Sequence, residues 1–401
     1  MTMDIKMSDL NTTKVDTPTS IFVHICCSVD SHYFLQELRK LYPNIPLTGF
    51  FYNPNIHPFT EYQLRLQDVK RSCKMLDISL IEGDYTLDSW LKATKGLEQE
   101  KEKGARCSIC FDVRLETSAQ MALMLGKQHF STTLLSSPMK EQEVLKTQGE
   151  LIGKRYGLEF VYLNVRAKGG VTKQNTLAKQ DKLYRQNYCG CYFALNDQRE
   201  AQNKPCIELI SFLDRQIHPA SITHRLELFK QRAILEEKQQ NYELLQQSLQ
   251  TYLLCRGLVK IHDKTLPSHI LKHSMEKKVT IKDLQIQRIS LKPTLGEKIC
   301  SQQYHFDLKP QNMELGFSVK DETLFLDTKG TSTLLNTPHK PLKALKLSYD
   351  QELYIREKLV GTESIQPIII VEDLRLLQSP ISVEIVAQFF THKNFYLVQT
   401  P

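Results

Sequence analysis

The sequence has no run of about 18 consecutive apolar residues, so no stretch of it is written as a membrane-spanning helix. Residues 1–20 are polar, carry Asp4, Asp9 and Asp16, and lack the apolar core of a secretory signal. We therefore expect a cytoplasmic protein with no membrane partner. An excess of one charge is also missing. Fifty-two Lys and Arg stand against 45 Asp and Glu, a net +7 over 401 residues. That excludes attraction of a polyanion by the whole surface and leaves room for a local patch. Tryptophan is nearly absent. Trp90 is the only one, and it reads as core before it reads as a base-stacking platform. Apolar residues at 41% and charged residues at 24% exclude a mostly disordered, collagen-like or low-complexity chain.

What is present first is alternation. Ile21–Ile25 is a short apolar run, followed by helical periodicity over 31–41. Residues 46–51 read as a second strand, 53–58 as a Pro-bounded loop, and 59–76 as a helix. Strands at 78–81, 129–134 and 158–163 alternate with helices at 108–125 and 143–156. Repeated β-α-β units imply an α/β fold: a mostly parallel, doubly wound (Rossmann-like) sheet. From about residue 205 the character changes. Residues 221–254, rich in Leu, Gln, Glu and Lys, read as a long helix or helical hairpin. Short strands at 324–326, 368–371 and 397–399 follow, giving an additional C-terminal α+β region. The expected division is a tail over 1–19, one domain over 20–205 and an accessory region over 206–401.

Six of the ten cysteines are clustered, as Cys26-Cys27, Cys107-x-x-Cys110 and Cys189-Gly190-Cys191. In a reducing compartment such clusters read as metal ligands or redox thiols. Soft thiolates suit a 4Fe-4S cluster, and zinc accepts four as well. The C-x-C pair either closes a strained disulfide or binds a second metal. Asp30 either completes that second site or caps the helix at 31–41. Cys73, Cys206, Cys255 and Cys300 read as small buried hydrophobes. Cys26 and Cys27 follow strand one, Asn53 follows strand two and Ser137 follows strand four. In a doubly wound sheet these positions converge on the edge where ligands bind.

The residues His24-Ile-Cys-Cys-Ser-Val-Asp30, Tyr52-Asn-Pro-Asn-Ile-His-Pro58 with Glu61, Tyr62 and Arg65, Arg106-Cys-Ser-Ile-Cys110, Thr132–Lys140 and Tyr184-Arg-Gln-Asn-Tyr-Cys-Gly-Cys191 together resemble the epoxyqueuosine reductase QueH family. The resemblance spans roughly residues 20–195. It implies an oxidoreductase that removes the epoxide oxygen of epoxyqueuosine in tRNA. It implies a 4Fe-4S cluster on Cys26, Cys27, Cys107 and Cys110, and a redox-active pair in Cys189 and Cys191. An additional iron held by two cysteines and an aspartate is a further implication, with Asp30 as the matching residue. The implied partners are tRNA containing epoxyqueuosine and an electron donor. Domain 20–205 then becomes the iron–sulfur catalytic domain.

Other residues fit that reading. His57 can donate a proton or cap its loop. Ser137 and Lys140, after a strand and before a helix, can meet a phosphate or a base. Arg166, Lys168, Lys173, Lys179, Lys182 and Arg185 face only Asp181 between 164 and 188, and Gly169-Gly170 reads as flexible. Such a segment suits an RNA backbone or a solvated helix face. Two competing functions remain. A zinc-stapled RNA-binding module without catalysis would use the same cysteines. An adenylating tRNA thiolase would need a phosphate loop of the S-G-G-x-D-S kind, and strand one ends instead in His-Ile-Cys-Cys.

Overall fold

The computed structural model describes residues 18–209, 217–275, 277–291, 313–318 and 322–401. Cys300 and most of the expected 1–19 tail lie outside the described residues. The chain forms two compact units. The first takes the described residues up to 209 together with Arg225–Leu244 and Leu397–Pro401.

In the first unit, β1 (Ile21–Ile25), α1 (Ser28–Leu41), β2 (Leu47–Phe51), α2 (Phe59–Met75) and β3 (Ser79–Glu82) alternate as the sequence pattern demands. Helices α3 (Leu87–Ala93) and α4 (Ala105–Met124) precede β4 (His129–Thr132), and α5 (Gln142–Tyr156) precedes β5 (Glu159–Phe160). Helices α6 (Gly170–Gln180), α7 (Tyr192–Ala201) and α8 (Ile222–Glu237) complete it. All five strands are parallel, in the order β3-β2-β1-β4-β5. β1 is central and wholly buried, which is why it reads as an unbroken apolar run. Helix α1 packs on α2 and α6, and α4 packs on α3 and α5, so helices flank the sheet. Phe22, Phe34, Phe50, Phe51 and Phe130 form the fully buried centre.

The order places a switch point at β1, where the chain leaves toward β2 on one side and β4 on the other. Ligand crevices form outside the carboxyl ends of strands at such a point. His24 ties those ends together. Its Nδ1 lies 2.8 Å from Thr132 Oγ1 and its Nε2 lies 3.0 Å from the Tyr52 carbonyl. Burial, then the charge on Arg114, pulls its pKa well below the usual value, so the ring is neutral.

The second unit stands on its own core. A mixed sheet in the order β10-β11-β12-β13-β8 uses β8 (Ser268–Ile270), β10 (Gln287–Leu291), β11 (Met313–Ser318), β12 (Thr323–Asp327) and β13 (Ile368–Val371). Its β12 and β13 are parallel, joined through α9 (Thr328–Leu335) and α10 (Tyr349–Val360). A capping box on Ser348 and Gln351 opens α10. The other sheet runs β7-β6-β14-β9, from β6 (Tyr242–Ile261), β7 (Lys264–Leu266), β9 (Lys277–Leu284) and β14 (Ile381–Gln399).

One expectation is corrected. The helix expected over 221–254 ends at Glu237, and Tyr242 onward is strand. Strand pairing overrides the helical propensity of its Leu and Gln residues. Residues 225–244 belong to the first unit. Buried charge holds them there: Arg232 Nη2 meets Asp68 Oδ1 at 2.6 Å with both side chains at 1% exposure or less. Arg71 adds an ion pair to Glu236 at 2.8 Å. Gly169-Gly170 opens α6. A Cβ on Gly170 would stand 1.7 Å from the Val165 carbonyl oxygen. Among the described residues no helix is long and apolar enough to cross a membrane.

Candidate metal centre

Cys26 is the first residue past β1, and its backbone N–H donates to Thr133 Oγ1 across the switch point. Cys27 is the extended residue that precedes α1, so Asp30 sits in the first turn of that helix. The helix therefore starts three residues before the expected 31, and Asp30 does not cap it. Instead the carboxylate turns toward the cysteines. Its Oδ2 lies 3.4 Å from Cys26 Sγ, and its Oδ1 accepts from Gln174 Nε2 on α6 at 2.7 Å. Ser136 Oγ donates to the same Gln174 at 2.9 Å.

The metal-binding atoms of Cys26, Cys27 and Asp30 lie within 4.8 Å of one another, all buried. The two sulfurs are 3.8 Å apart. Two thiolates on one tetrahedral ion at about 2.3 Å each would sit at about that separation. Hydrogen bonding with Cys26, burial and the charge on Asp30 push the Cys27 thiol well up. Burial likewise raises Asp30. A cation bound among them would displace those protons, as metal binding does. The donor set thus fits a thiophilic metal.

A cavity of about 410 Å³ lies over this edge. Cys26, Asp30, Cys107, Cys110, Cys189 and Cys191 all line it. Cys107 and Cys110 come from the first two turns of α4, beginning just after its Gly104 cap. Burial raises the Cys107 thiol. Cys27 is not a lining residue, and its sulfur accepts from Gln186 Nε2 at 3.1 Å.

The C-x-C segment is zipped onto the loop after β2. His57 N–H donates to the Gly190 carbonyl at 2.9 Å, and Ile56 bridges to Cys191. Arg65, paired with buried Glu61, donates to the carbonyls of Tyr188 and Cys189. Gly190 holds φ of +97°, and a Cβ there would meet Ile56 at 2.9 Å. Cys189 and Cys191 are both free thiols. A hydrogen bond from the Cys191 thiol pulls Cys189 down to about 6, against burial and with help from Lys140 and the Cys191 N–H. The same pairing, with burial, pushes Cys191 up.

The remaining expected residues divide. Asn53, Ser137 and Lys140 line the cavity. The Asn53 amide is largely committed, donating to the Ile25 carbonyl and accepting from Arg114 Nη2 at 2.6 Å. His57 is not among the lining residues. Its ring packs edge-on against Tyr192, and burial lowers its pKa. Trp90 is fully buried and stacks on Phe193. In the basic segment, Arg166 braces the Ser137 and Lys140 carbonyls, while Lys168, Lys173 and Lys179 are exposed. Cys73 is buried as expected, whereas Cys206 is half-buried and Cys255 exposed on β6. Sequence reasoning missed Gln174 and Arg114. Only their placement at i, i+4 from other site residues or on a neighbouring helix marks them.

Residues 21–197 match the family model described as epoxyqueuosine reductase QueH. The chain is 41% identical over 393 residues to the epoxyqueuosine reductase QueH of Helicobacter pylori, covering 94% of this chain and 100% of that protein. The namesake from Acinetobacter baylyi is 36% identical over 198 residues, 48% of this chain and 90% of the relative. Among solved structures, the U34-tRNA thiolase NcsA from Methanococcus maripaludis with its 4Fe-4S cluster overlaps at 15% identity and a TM-score of 0.31, covering 55% of this chain and 73% of that one. That last overlap is too slight to carry an argument. Full-length coverage of the Helicobacter pylori relative is decisive: the chain belongs to the epoxyqueuosine reductase QueH family.

Proposed function

We propose that the chain reduces the epoxide of epoxyqueuosine in tRNA, giving queuosine in the last step of its biosynthesis, with a 4Fe-4S cluster on Cys26, Cys27, Cys107 and Cys110. The observation that carries the site assignment is convergence. Three separate cysteine clusters meet Asp30 at one sheet edge around one cavity. Asp30, 3.4 Å from Cys26 Sγ, is the oxygen donor for an additional iron beside the 4Fe-4S cluster. When bound, an iron–sulfur centre supplies single electrons.

Removing the epoxide oxygen consumes two electrons and two protons, leaves a carbon–carbon double bond and releases water. The chain's own residues prepare for that. Cys189 and Cys191 form the redox-active pair: closing to a disulfide gives up two electrons and the Cys191 proton, the second proton comes from solvent, and a donor must re-reduce the pair. Cys189 with its lowered pKa is the thiolate of the pair. Ser137 and Lys140 offer a hydroxyl and an ammonium group to the substrate at the cavity wall. The apolar walls at Ile56, Phe111 and Leu134 exclude water around it. His57 serves its loop, where its backbone and ring are used.

The test is incubation of the anaerobically reconstituted full chain with dithionite and tRNA carrying epoxyqueuosine. Digestion to nucleosides should reveal queuosine, lighter by one oxygen. Recovery of unchanged epoxyqueuosine from a fully iron-loaded protein would overturn the reading. A colourless, zinc-loaded protein that binds tRNA without converting it would favour the zinc-stapled RNA-binding module.

A further inference from the structure

Helix α4 carries Arg106, Cys110 and Arg114 at intervals of four, so the three lie along one face with the cysteine in the middle. All three line the cavity. Both guanidinium groups are deep, at 1% and 4% exposure. Three other buried arginines of this unit each have a carboxylate: Arg65 has Glu61, Arg199 has Glu208 and Arg232 has Asp68. Among the described residues, Arg106 and Arg114 have none. Arg106 donates from Nη1 to the carbonyls of Leu97 and Glu98, and its Nε and Nη2 find no acceptor. Arg114 donates from Nη2 to Asn53, and its Nε finds none. The indole N–H of Trp90, also at the cavity wall, is a further donor without an acceptor.

Two buried positive charges with idle N–H groups demand an anion. We propose that the anion is the thiolate-ligated cluster itself, and that Arg106 and Arg114, four residues to either side of Cys110 on α4, set its reduction potential with their charge. This rests on the iron–sulfur reading above. A cube held by four thiolates carries net negative charge, and one-electron reduction adds to it. Hydrogen bonds to sulfur and nearby charge are the levers that tune such a couple. Cations stabilise the reduced form most, so both arginines raise the potential and bring the cluster within reach of a weaker donor. Asn53 then acts as a positioning residue. It grips Arg114 with Oδ1 and anchors to the Ile25 carbonyl with Nδ2, fixing the guanidinium against the end of β1. A phosphate of the tRNA is the other anion of suitable charge. Depth and spacing favour the cluster: backbone phosphates meet basic groups at surfaces, whereas these two bracket a ligand cysteine inside the cavity.

The test is a redox titration of the reconstituted full chain, with iron and sulfide measured in each sample. Wild type is compared with Arg106→Gln and Arg114→Gln. Each variant should keep its cluster and shift by at least tenfold in the oxidised-to-reduced ratio at fixed ambient potential, which is about 59 mV more negative for a one-electron couple. Full iron content with wild-type potentials in both variants would overturn the proposal. Wild-type potentials with weaker tRNA binding and a shallower salt slope would overturn it too, and would assign the arginines to a phosphate. A second measurement needs no variant. Pulsed electron–nuclear resonance on the reduced cluster in protein labelled with ¹⁵N-arginine should reveal coupling to guanidinium nitrogen. Absence of that coupling would place both guanidinium groups away from the cluster and overturn the proposal. A wild-type protein that holds no iron or sulfide would sink the underlying reading instead.

Discussion

At the scale of single residues, the site separates thiols by their neighbours. Within the C-x-C pair one shared hydrogen bond lowers Cys189 and, with burial, raises Cys191, so Cys189 is the thiolate of the two at neutral pH. In the metal-free chain, alkylation of Cys189 by iodoacetamide should rise with pH to half its plateau near 6. Cys191→Ala removes the donor that stabilises the thiolate. It should move that midpoint upward, toward the ordinary thiol value, and slow labelling at pH 7. A midpoint unmoved by the substitution would mean that Cys191 does not lower its partner. In the loaded protein, Cys→Ser at 189 or 191 should abolish turnover while leaving most of the cluster absorption. Loss of the whole absorption would make them cluster ligands.

At the scale of elements, two glycines are fixed by contact. Gly170→Ala drives a methyl into the Val165 carbonyl and must shift the start of α6, which carries Gln174 and its hydrogen bond to Asp30. Gly190→Ala combines a left-handed backbone with a clash at Ile56. Each should destabilise by about 1–3 kcal/mol, read as a lowered unfolding midpoint. Wild-type stability in both would show that these segments yield freely. The same scale explains what could be read in advance. β1 was legible because a central parallel strand, buried on both faces, is a continuous apolar run that ends at its chemistry. Cys107 and Cys110 were legible because their spacing survives any fold. β6 was not, since its Leu and Gln residues favour helix and only pairing with distant strands makes them extended. Gln174 was illegible for a related reason: its partner Asp30 is 144 positions away, and the fold alone joins them.

At the scale of the molecule, the first unit is not a contiguous stretch. Arg232 on α8 neutralises Asp68, which also accepts from Ser28 at the start of α1 and from the Tyr184 N–H ahead of the C-x-C segment. Charge on α8 therefore braces both cysteine-bearing ends of the site. Removing one partner of a buried pair costs about 3–5 kcal/mol. Arg232→Ala should lower stability on that scale and loosen iron binding, measured by unfolding and by iron retained after gel filtration. A change below about 1 kcal/mol would show the pair to be dispensable. A fragment ending near residue 205 loses α8 altogether, so it should hold iron less well than one ending near 244. Equal retention by the two fragments would contradict a structural role for that segment.

The central claim is that one cavity at the carboxyl edge of the sheet holds an iron–sulfur centre on cysteines from separate clusters. The most direct measurement is iron, acid-labile sulfide and zinc per chain in anaerobically purified full-length protein, beside Cys110→Ala. We expect iron and sulfide in comparable amounts with zinc negligible, and iron falling steeply in the variant. Zinc in place of iron, or full iron and sulfide retained by Cys110→Ala, would contradict the account.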